Sequence, residues 1–556
     1  MEKKLDRRGW LRSLGLTTGV AGILSISEKS ALTSQAVEDK TQGIFNVMAY
    51  GAKGDGKADD SDAIQNAINA AQNFGNGGIV FLPTGSYLVS KGLLITGRVK
   101  ILGQGQATID GATHIVPTSL DFDVIKAVGV NYGVVLEGFT IRTYSDKGAG
   151  GHFLRFQSCQ HVRVNGVSLS NFWNGALVDS SGDVVFYDMS LGPGDVPGAG
   201  RFGIKCTAAS KGNPNGTQAW NCTVGQWGRN LRTVDGFVLA NGYNSFTAIN
   251  SGALNCNRAF WSTKDGGEPP NFLVVNMGTS DHCNTAVQLD EGSFNQFSDM
   301  LVTSSNVDNI NIGAHIGGPV AFANCIITDT GSPPDGTGYR ISATQAPSVS
   351  ITGGSVHNTG GNAMEISGNA NVIVTGLGVS SIQGGKGARG ADGVNISGSG
   401  NVILTGLSLD QVRNVAIHVL AEFSGTLTFS GISQQNANRG LYDQGSSGRI
   451  VGSGSFQNNF VMDVDVSRNR NSQTCIQSHG SVPWPFDPTP AVPGSDSQVH
   501  NTTGTNCMVY ISGGSIGQVV VNGINLGVQT PVYLPADGKI AIKYSGRLSW
   551  VWQRVT

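Results

Sequence analysis

The sequence predicts an all-β protein whose main part is a parallel β-helix, in which short strands wind into successive coils. Three features lead to this fold class. A motif of two short β-segments around a turn residue recurs along the chain, apolar and polar residues alternate within each segment, and the composition combines much glycine with little charge.

The composition excludes several other classes. Glycine accounts for 80 of the 556 residues, roughly twice its usual share. Charged residues make up 13%, against about 25% in a typical domain. Such low charge excludes a coiled coil or a helix-rich bundle, and the absence of a Gly-X-Y period excludes collagen. The net charge is −2, so we expect neither a nucleic-acid partner nor an anionic membrane partner.

Residues 1–36 have the features of an export signal. Arg7 and Arg8 precede an apolar run from Leu14 to Ile26 that is too short and too rich in glycine and threonine to span a membrane. Paired arginines before a weak apolar segment resemble a bacterial twin-arginine signal. We therefore expect a periplasmic or secreted protein with no membrane span; a cytosolic amphipathic tail is the alternative interpretation.

The eight cysteines do not indicate a metal site. None of them forms a C-x-x-C pair, so we expect no zinc ribbon. Cys475 and Cys507 are candidates for a bridge near the C-terminus. The cysteines in the middle of the chain are expected to be small buried core residues.

The repeated motif extends through residues 43–475. Its segments include V-V-L-E-G-F-T-I, V-R-V-N-G-V-S-L, V-S-I-T-G-G-S-V and V-I-L-T-G-L-S-L. Successive turn residues lie 22 to 30 residues apart, with one gap of 62 that has room for one or two further coils and a long loop. The predicted turn residues are Gly138, Gly166, Asp188, Asn250, Asn276, Asp299, Asn324, Gly353, Gly376, Gly406 and Gly431.

The residue types at these turns explain the architecture. Glycine, asparagine and aspartate tolerate a left-handed backbone, which a sharp bend between two strands requires. Segments of three to five alternating residues, repeated about every 25 residues, are typical of a parallel β-helix, and the Leu-x-x-Leu-x-Leu frame of leucine-rich repeats is absent. Each coil buries its faces against its neighbours.

Residues 45–112 carry a more specific signature. It comprises Y-G-A-K-G-D-G, D-D-S-D-A-I-Q, G-G-I-V-F-L-P-T-G-S-Y and I-D-G. Over about 70 residues this segment resembles the pectate-lyase-like superfamily of right-handed parallel β-helices, which includes polygalacturonases, rhamnogalacturonases and phage tailspike depolymerases. The resemblance implies a right-handed helix, a polysaccharide substrate and, as in tailspike-like relatives, a homotrimer.

The acidic cluster in this segment has a structural interpretation and a metal-binding alternative. Asp59, Asp60 and Ser61 precede a helix-like run from Ala67 to Ala71, where acidic and hydroxyl residues cap a helix. The helix is expected to close the exposed edge of the first coil. The resemblance implies that these residues, with Asp55 and Asp62, belong to this N-terminal cap and not to the active site.

The end of the chain predicts a separate module. Proline and serine mark residues 476–498 as a linker, and residues 499–556 alternate like a small antiparallel β-sandwich. Trp550 and Trp552 are interpreted as core or interface residues, with stacking on sugar rings as the alternative.

Outward-facing residues on stacked strands suggest a catalytic site. If Phe260, Val287 and Ile310 point inward, their neighbours Trp261, Gln288 and Asn311 point outward together. Hydrolysis of a glycosidic bond needs one ionised and one protonated carboxyl group. The predicted pair is Asp265 and Asp290, with Glu291 as a substitute. Substrate contacts are predicted at Trp261, Gln288, Arg155, Lys205 and Asp179.

Two other functions stay open. Elimination from a uronic acid needs a base and a group that neutralises the carboxylate, for which Arg155, Lys205, Lys264 and His282 are candidates. Hydrolysis needs no cofactor, whereas a lyase could use Ca²⁺. A non-catalytic glycan-binding surface protein is the third interpretation. The N-T-D, G-H-G and R-I-K motifs of polygalacturonases are absent from the central coils, so the family does not supply the substrate.

Overall fold

The computed structural model describes residues 42–554 except for 107–110, 195–197, 199, 209–215, 226–231, 304–306, 329–335, 345–347, 383–390, 472–473, 479–488, 503–505 and 529. The predicted export signal, residues 1–36, lies outside the described residues. Within them no helix is long and apolar enough to cross a membrane.

The predicted all-β parallel β-helix is confirmed. Each strand pairs in parallel with the strand one coil later, as Ile44 pairs with Ile79, and the strands stack into three columns that we call sheets 1, 2 and 3. Five long strands contribute to two or three of the columns, where they bend from one sheet into the next: Val134–Arg142, Gln160–Phe172, Ser408–Val419, Thr426–Asp443 and Arg449–Gln457.

The remaining strands each belong to one sheet. Sheet 1 contains Ile44–Asn46, Gly78–Leu82, Val99–Gly103, Gly182–Tyr187, Thr217–Trp220, Phe246–Ile249, Leu273–Asn276, Asn295–Ser298, Val320–Ala323, Ser348–Thr352, Asn371–Thr375, Asn401–Thr405 and Cys475–Ser478. Sheet 2 contains Asp55–Asp59, Gly85–Val89, Thr113–Pro117, Ser190–Pro193, Thr223–Gly225, Gly252–Leu254, Thr279–Asp281, Leu301–Thr303, Ile326–Thr328, Ser355–His357 and Gly378–Ile382. Sheet 3 contains Leu93–Ile95, Ile125–Val128, His152–Gln157, Asn174–Asp179, Arg201–Thr207, Val234–Ala240, Arg258–Thr263, Thr285–Gly292, Asp308–Ile316, Thr337–Ile341, Met364–Ile366, Val394–Ile396 and Met462–Asp465.

The turn between sheets 1 and 2 follows the sequence prediction at all but one of the predicted positions. Those residues have a positive φ, from 47° at Asn250 to 68° at Gly138. The exception is Asn276, which ends a strand, so that the left-handed residue is Met277 with φ 53°. The gap of 62 residues holds one further turn, at Asn221. Asn221 donates to Asp188 Oδ1 at 2.9 Å and accepts from Asn250 Nδ2 at 2.8 Å, which links three successive turns.

The core is one continuous cluster of apolar side chains along the helix interior. Phe237 stacks between neighbouring coils on Phe260, with ring centroids 5.2 Å apart, and the Phe297 and Phe322 rings stack at 4.8 Å. The cysteines of the middle of the chain, from Cys159 to Cys325, are buried as predicted. The side chain of Cys475 lies outside the described part, so its pairing with Cys507 stays a prediction.

A helix from Ser61 to Gln72 closes the first coils, as predicted. Ile64 and Ile68 are fully buried. The helix also supplies hydrogen bonds to the edge of sheet 3: Gln65 exchanges two bonds with the backbone of Leu94, and Gln72 Oε1 accepts from the backbone of Thr96 and Gly97. The helix thereby satisfies edge groups that would otherwise recruit another strand.

The acidic cluster is structural, as the sequence suggests, but Asp60, the N-cap residue of the helix, makes no side-chain capping bond to it. Asp60 accepts from the backbone of Lys53 and Gly54, and Asp55 accepts from the backbone of Lys57 and Ala58. Asp59 bonds to Ser61 and Ser90, which lower its pKa to about 2 although burial acts in the opposite direction. Asp62 pairs with the exposed amine of Lys91.

The C-terminal module is one antiparallel sheet of five strands. Two long, bulged strands, Cys507–Val521 and Lys539–Arg554, form its centre, and the others are Gln498–His500, Ile524–Asn525 and Val532–Leu534. Trp550 and Trp552 are buried in its core, as the preferred interpretation predicted. Residues 489–493 of the predicted linker pack on this module, where Pro490 O accepts from the Trp550 indole at 2.7 Å.

Candidate functional site

The outward side chains of sheet 3 form one ladder along the β-helix, which we call the sheet 3 face. Parallel pairing places Trp261 opposite Gln288, and Gln288 opposite Asn311, as the sequence predicted. Neighbouring members are about 4.8 Å apart. The ladder comprises Lys126, Arg155, Leu177, Lys205, Val238, Trp261, Gln288, Asn311, Arg340, Glu365, Asn395, His418, Tyr442 and Asp465.

A four-residue pattern precedes many of these positions. A polar residue is followed by a small residue, an apolar core residue and the outward residue, as in D-G-F-V at 235–238, R-A-F-W at 258–261 and D-G-V-N at 392–395. The small residue is required because a Cβ on Gly236 would lie 2.9 Å from Ala253 of sheet 2. The pattern therefore marks the corner where the chain enters sheet 3.

Aspartates at the first position of this pattern, or at the equivalent position of the first coils, bind a basic residue of the next coil. Asp123 bonds to His152 and Arg155. Arg258 binds both oxygens of Asp235 at 2.7 and 2.8 Å. Arg340 binds both oxygens of Asp308 at 3.1 and 3.2 Å, and His418 lies 2.6 Å from Asp392.

The first cluster on the face joins two predicted contact residues to two that the sequence interpretation missed. Arg155 lies between Asp123 and Asp179, at 3.3 and 3.7 Å, and Asp123 also contacts His152 Nδ1 at 2.7 Å. Burial raises the pKa of Asp123, but the bonds and charges of His152 and Arg155 outweigh it, so that the pKa lies below its usual value.

The central cluster contains the predicted carboxylates. Asp290 accepts from the Trp261 indole at 2.7 Å and from the Gln288 amide at 2.5 Å. These three residues come from two adjacent coils. Because both donors are neutral and hold different oxygens, they fix the orientation of the Asp290 carboxylate.

The other two carboxylates of this cluster pair with lysines. Lys205 Nζ lies 2.7 Å from Asp265, although Asp265 follows the strand Arg258–Thr263, which is two coils after the strand of Lys205. Lys264 Nζ lies 3.2 Å from Glu291. The Lys205–Asp265 pair bridges the intervening coil, where Val238 belongs to the outward ladder yet is only 1% exposed. An apolar cluster of Phe202, Val238 and Ala240, packed against Leu177 and Trp261, lies beneath.

Trp261 offers only part of its surface to a ligand. The Arg258 guanidinium lies 3.2 Å from the centroid of the Trp261 ring and covers one of its faces. The ring nitrogen is engaged by Asp290. If Trp261 stacks on a sugar, as predicted, it does so with its remaining face.

The structure does not bring His282 to the predicted carboxylates. His282 follows the sheet 2 strand Thr279–Asp281 and bonds to Asp281 at 2.7 Å. Asp290 lies near the far end of the next strand, Thr285–Gly292, and five residues of strand cover about 16 Å. Proximity in the sequence placed His282 in the group, but the corner into sheet 3 separates them.

Sequence reasoning missed His152, Asp123, Asp235, Arg258, Asp308, Arg340, Asp392 and His418. The four-residue pattern at each sheet 3 corner was the signal that could have found them, since it repeats as regularly as the turn between sheets 1 and 2. In the described part of the chain, no three His, Cys, Asp or Glu side chains are grouped as a metal ion would require.

Comparisons with known proteins agree with this architecture. Residues 44–128 match the family model described as rhamnogalacturonase A/epimerase, pectate lyase-like. Alginate lyase 7 of Azotobacter vinelandii is 53% identical over 68 residues, which are 11% of this chain and 8% of that protein. The capsule KN3-specific depolymerase 1 of Klebsiella phage KN3-1 is 28% identical over 217 residues, which are 35% of this chain and 27% of that protein.

This chain therefore spans less than a third of the length of either of these curated relatives. Among solved structures, a double mutant of the tailspike protein of E. coli bacteriophage HK620 is 10% identical, with a TM-score of 0.57 over 94% of this chain and 95% of that one. At that identity the likeness concerns the fold alone. Residues 44–128 therefore resemble the pectate-lyase-like family, and the chain as a whole has the parallel β-helix fold that the tailspike structure shares.

Proposed function

We propose that this chain is an exported enzyme that cleaves the glycosidic bonds of an extracellular polysaccharide lying along the sheet 3 face. The observation that carries the proposal is the cluster of Asp265, Asp290 and Glu291 on two adjacent coils beside Trp261. Ser262 pairs with Leu289 on the adjacent coil, and paired residues are about 5 Å apart, so Asp265 lies just beyond the residue opposite Asp290. Glycoside hydrolases use two carboxylates about 5–10 Å apart.

The hydrogen bonds suggest how the carboxylates divide the work. Asp290, held by two neutral donors, is suited to act as the ionised carboxylate that serves as nucleophile or general base. Asp265 is then assigned the role of proton donor; its side chain is half-exposed, and the substrate would have to displace Lys205 from it. Glu291 is its substitute.

Two substitutions test the hydrolase. Asp290→Asn and Asp265→Asn are expected to lower the release of reducing ends from the cleaved polymer by about 10²–10⁴-fold, the range for loss of an acid–base group. The matched control is Asp410→Asn, which changes a carboxylate on sheet 2 that binds only Asn436 among the bonds described here. Folded variants of Asp265 and Asp290 with full activity would refute the assignment.

Elimination from a uronic-acid polymer is the second candidate. It is favoured by the basic residues Lys126, Arg155 and Lys205, which occupy three of four successive positions of the ladder, with Leu177 between the last two, and which would attract and neutralise uronate carboxylates. Ultraviolet absorbance of the unsaturated product, measured together with reducing ends, separates the two reactions. Reducing ends without absorbance indicate hydrolysis, and a rise in both indicates elimination.

A glycan-binding surface protein without catalysis and a homotrimeric assembly stay as predictions. If no polymer in a broad screen yields either signal while the protein retains glycan on an array, the binding function replaces the enzymatic one. Light scattering that gives the mass of a single chain would exclude the trimer.

A further inference from the structure

One face of the C-terminal module carries exposed aromatic side chains. Tyr510, Tyr533 and Val551 lie on three neighbouring strands and are 43%, 48% and 52% exposed. Because successive side chains of a strand point to opposite faces, their neighbours along each strand point the other way. Those neighbours are buried in the core of the module: Val509, Ile511, Val532, Leu534, Trp550 and Trp552.

The strand register brings Met508, Tyr510, Tyr533 and Val551 together into one patch, which we call the tyrosine face. Met508 pairs with Tyr533 on one side, and Tyr510, two residues later on the same strand, pairs with Val551 on the other side. Directly opposed side chains are about 5 Å apart, and diagonal ones are about 7–8 Å apart. The two tyrosines therefore lie diagonally across one strand pair, within reach of a single extended ligand.

The tyrosine face is held in place from the core side. Trp550 and Trp552 flank Val551 in the sequence, and their rings meet edge to face with centroids 5.3 Å apart. The Trp550 indole donates to Pro490 O at 2.7 Å, and the backbone N–H of Trp552 donates to Thr489 Oγ1 at 2.8 Å. Because both tryptophans are buried, they cannot stack on a sugar, but they fix the strand that carries Val551.

The chemistry of the tyrosine face indicates an uncharged ligand. Within the described residues, neither tyrosine side chain takes part in a hydrogen bond, an ion pair or a ring contact. The outward positions beside them are uncharged as well: Met508, Ser512, Ser549 and Val551. A tyrosine offers an apolar ring and a polar tip. A neutral sugar chain complements both, since its rings present C–H groups on their faces and hydroxyl groups at their rims.

The size of the tyrosine face argues against a second protein as its ligand. A fully covered aromatic side chain buries about 150–250 Å², so the half-exposed Tyr510 and Tyr533, together with Val551, offer roughly 300 Å². A stable protein interface needs about 800 Å² from each partner. A short stretch of polysaccharide that crosses three strands, spaced about 4.8 Å apart, covers this face without any further surface.

We propose that the tyrosine face is a non-catalytic binding site for a neutral polysaccharide. Tyr510 and Tyr533 lie against the C–H faces of two sugar residues, and their hydroxyl groups exchange hydrogen bonds with sugar hydroxyls. The inference goes beyond the proposed function, because it places binding on the C-terminal module and requires none of the carboxylates of the sheet 3 face.

The experiment is affinity electrophoresis of the full chain in native gels that contain mixed-linkage β-glucan, xylan, galactomannan or pullulan. We expect at least one of these polymers to retard the chain, and Tyr510→Ala and Tyr533→Ala each to lower the affinity by about 5- to 30-fold, the range for loss of an aromatic hot spot. Tyr510→Phe keeps the ring and should retain most of the affinity. The matched control is Ile524→Ala, which removes an exposed apolar side chain at the other end of the module.

The outcomes separate this site from the sheet 3 face. Retardation that is lost in the Tyr510→Ala/Tyr533→Ala double variant but persists in Asp290→Asn supports the inference, whether or not the polymer is cleaved. Unchanged retardation of the folded double variant overturns it, and so does the absence of retardation by all four polymers. A dimer in light scattering that dissociates in the double variant also overturns it, and assigns the tyrosine face to a second copy of the chain.

Discussion

Between Val320 and Ser430, the outward side chains of sheet 1 are all uncharged, whereas those of sheet 3 on the same coils include Arg340, Glu365 and His418. The sheet 1 residues are Ala321, Ala323, Ser348, Ser350, Thr352, Asn371, Ile373, Thr375, Asn401, Ile403, Thr405, Thr426, Thr428 and Ser430. Both faces are made of strands in the same stack, so the backbone does not impose the difference.

The two faces differ in where their polar side chains find hydrogen-bond and ion-pair partners. On sheet 1 the outward hydroxyl and amide groups are small and contact water. Exposed and buried residues alternate strictly along each strand, over three to five positions. On sheet 3 buried aspartates depend on a base from the next coil, more than 20 residues away in sequence. Substitutions on sheet 3 are therefore expected to act on neighbouring coils, and those on sheet 1 to act only locally.

The largest effect is expected from Arg258→Met. Asp235 is 3% exposed, and the substitution leaves this buried carboxylate without its charged partner, which typically costs about 3–5 kcal/mol. Urea denaturation checks the loss against Arg449→Met, which changes an exposed arginine of sheet 1. Equal stability of the two variants would contradict the dependence of sheet 3 on pairs between coils.

A smaller, pH-dependent effect is expected from Asp123→Asn. Bonds to a charged partner contribute about 1.5–3 kcal/mol each, so the variant is less stable at neutral pH. Because the folded-state pKa of Asp123 lies below its ordinary value of 3.8, its contribution is complete above that value and is lost as the pH falls through the folded-state pKa.

The free energies of unfolding of wild type and Asp123→Asn should therefore converge below about pH 4. Urea denaturation at a series of pH values measures the difference. If the difference in free energy of unfolding stays constant from neutral to acid pH, the charge of the Asp123 carboxylate does not contribute to stability.

The turn beside sheet 1 is expected to respond more weakly. Asn221→Ala places a side chain without a local hydrogen bond at φ 53°, which costs about 1–2 kcal/mol. Asn221→Gly keeps the backbone relaxed and loses only the bonds to Asp188 and Asn250. The alanine variant should thus be the less stable of the two in urea, and the reverse order would argue against backbone strain.

The smallest effect is expected on the sheet 1 face itself. Ile373 and Ile403 are 40% and 39% exposed and lie between Ser350 and Thr428 in one row of the sheet. Ile373→Thr and Ile403→Thr should therefore change stability by less than about 0.5 kcal/mol. Cleavage of the polymer should be unaffected. A marked loss of stability or a change in oligomeric mass would reveal that this face is covered in the assembled protein.

The fold was largely predictable because its signals are local. The turn between sheets 1 and 2 depends on single residues that tolerate a left-handed backbone, such as Asp188 and Gly353. The alternation of apolar and polar residues in the strand after the turn is recognisable within five residues. Met277 escaped prediction because a residue with a long side chain takes the same backbone conformation beside Asn276, where asparagine was the expected turn former.

The candidate site was predictable only in part. The register of Trp261, Gln288 and Asn311 followed from aligning neighbouring coils, but the partners did not. Lys205 meets Asp265 across an intervening coil, and Arg258 covers the ring that was predicted to bind sugar. Neither contact can be predicted from local residue spacing, because each depends on the direction in which a long side chain extends between stacked strands.

The sequence by itself determined the coil, the cap and the alternation of buried and exposed positions, because turn chemistry and apolar periodicity act over a few neighbouring residues. Only the tertiary structure decided which charges meet, that Val238 is covered, and that His282 lies away from Asp290 while His418 is held by Asp392. The physical reason is that the β-helix brings residues one coil apart to within about 5 Å, so the chemistry of its face depends on contacts between coils.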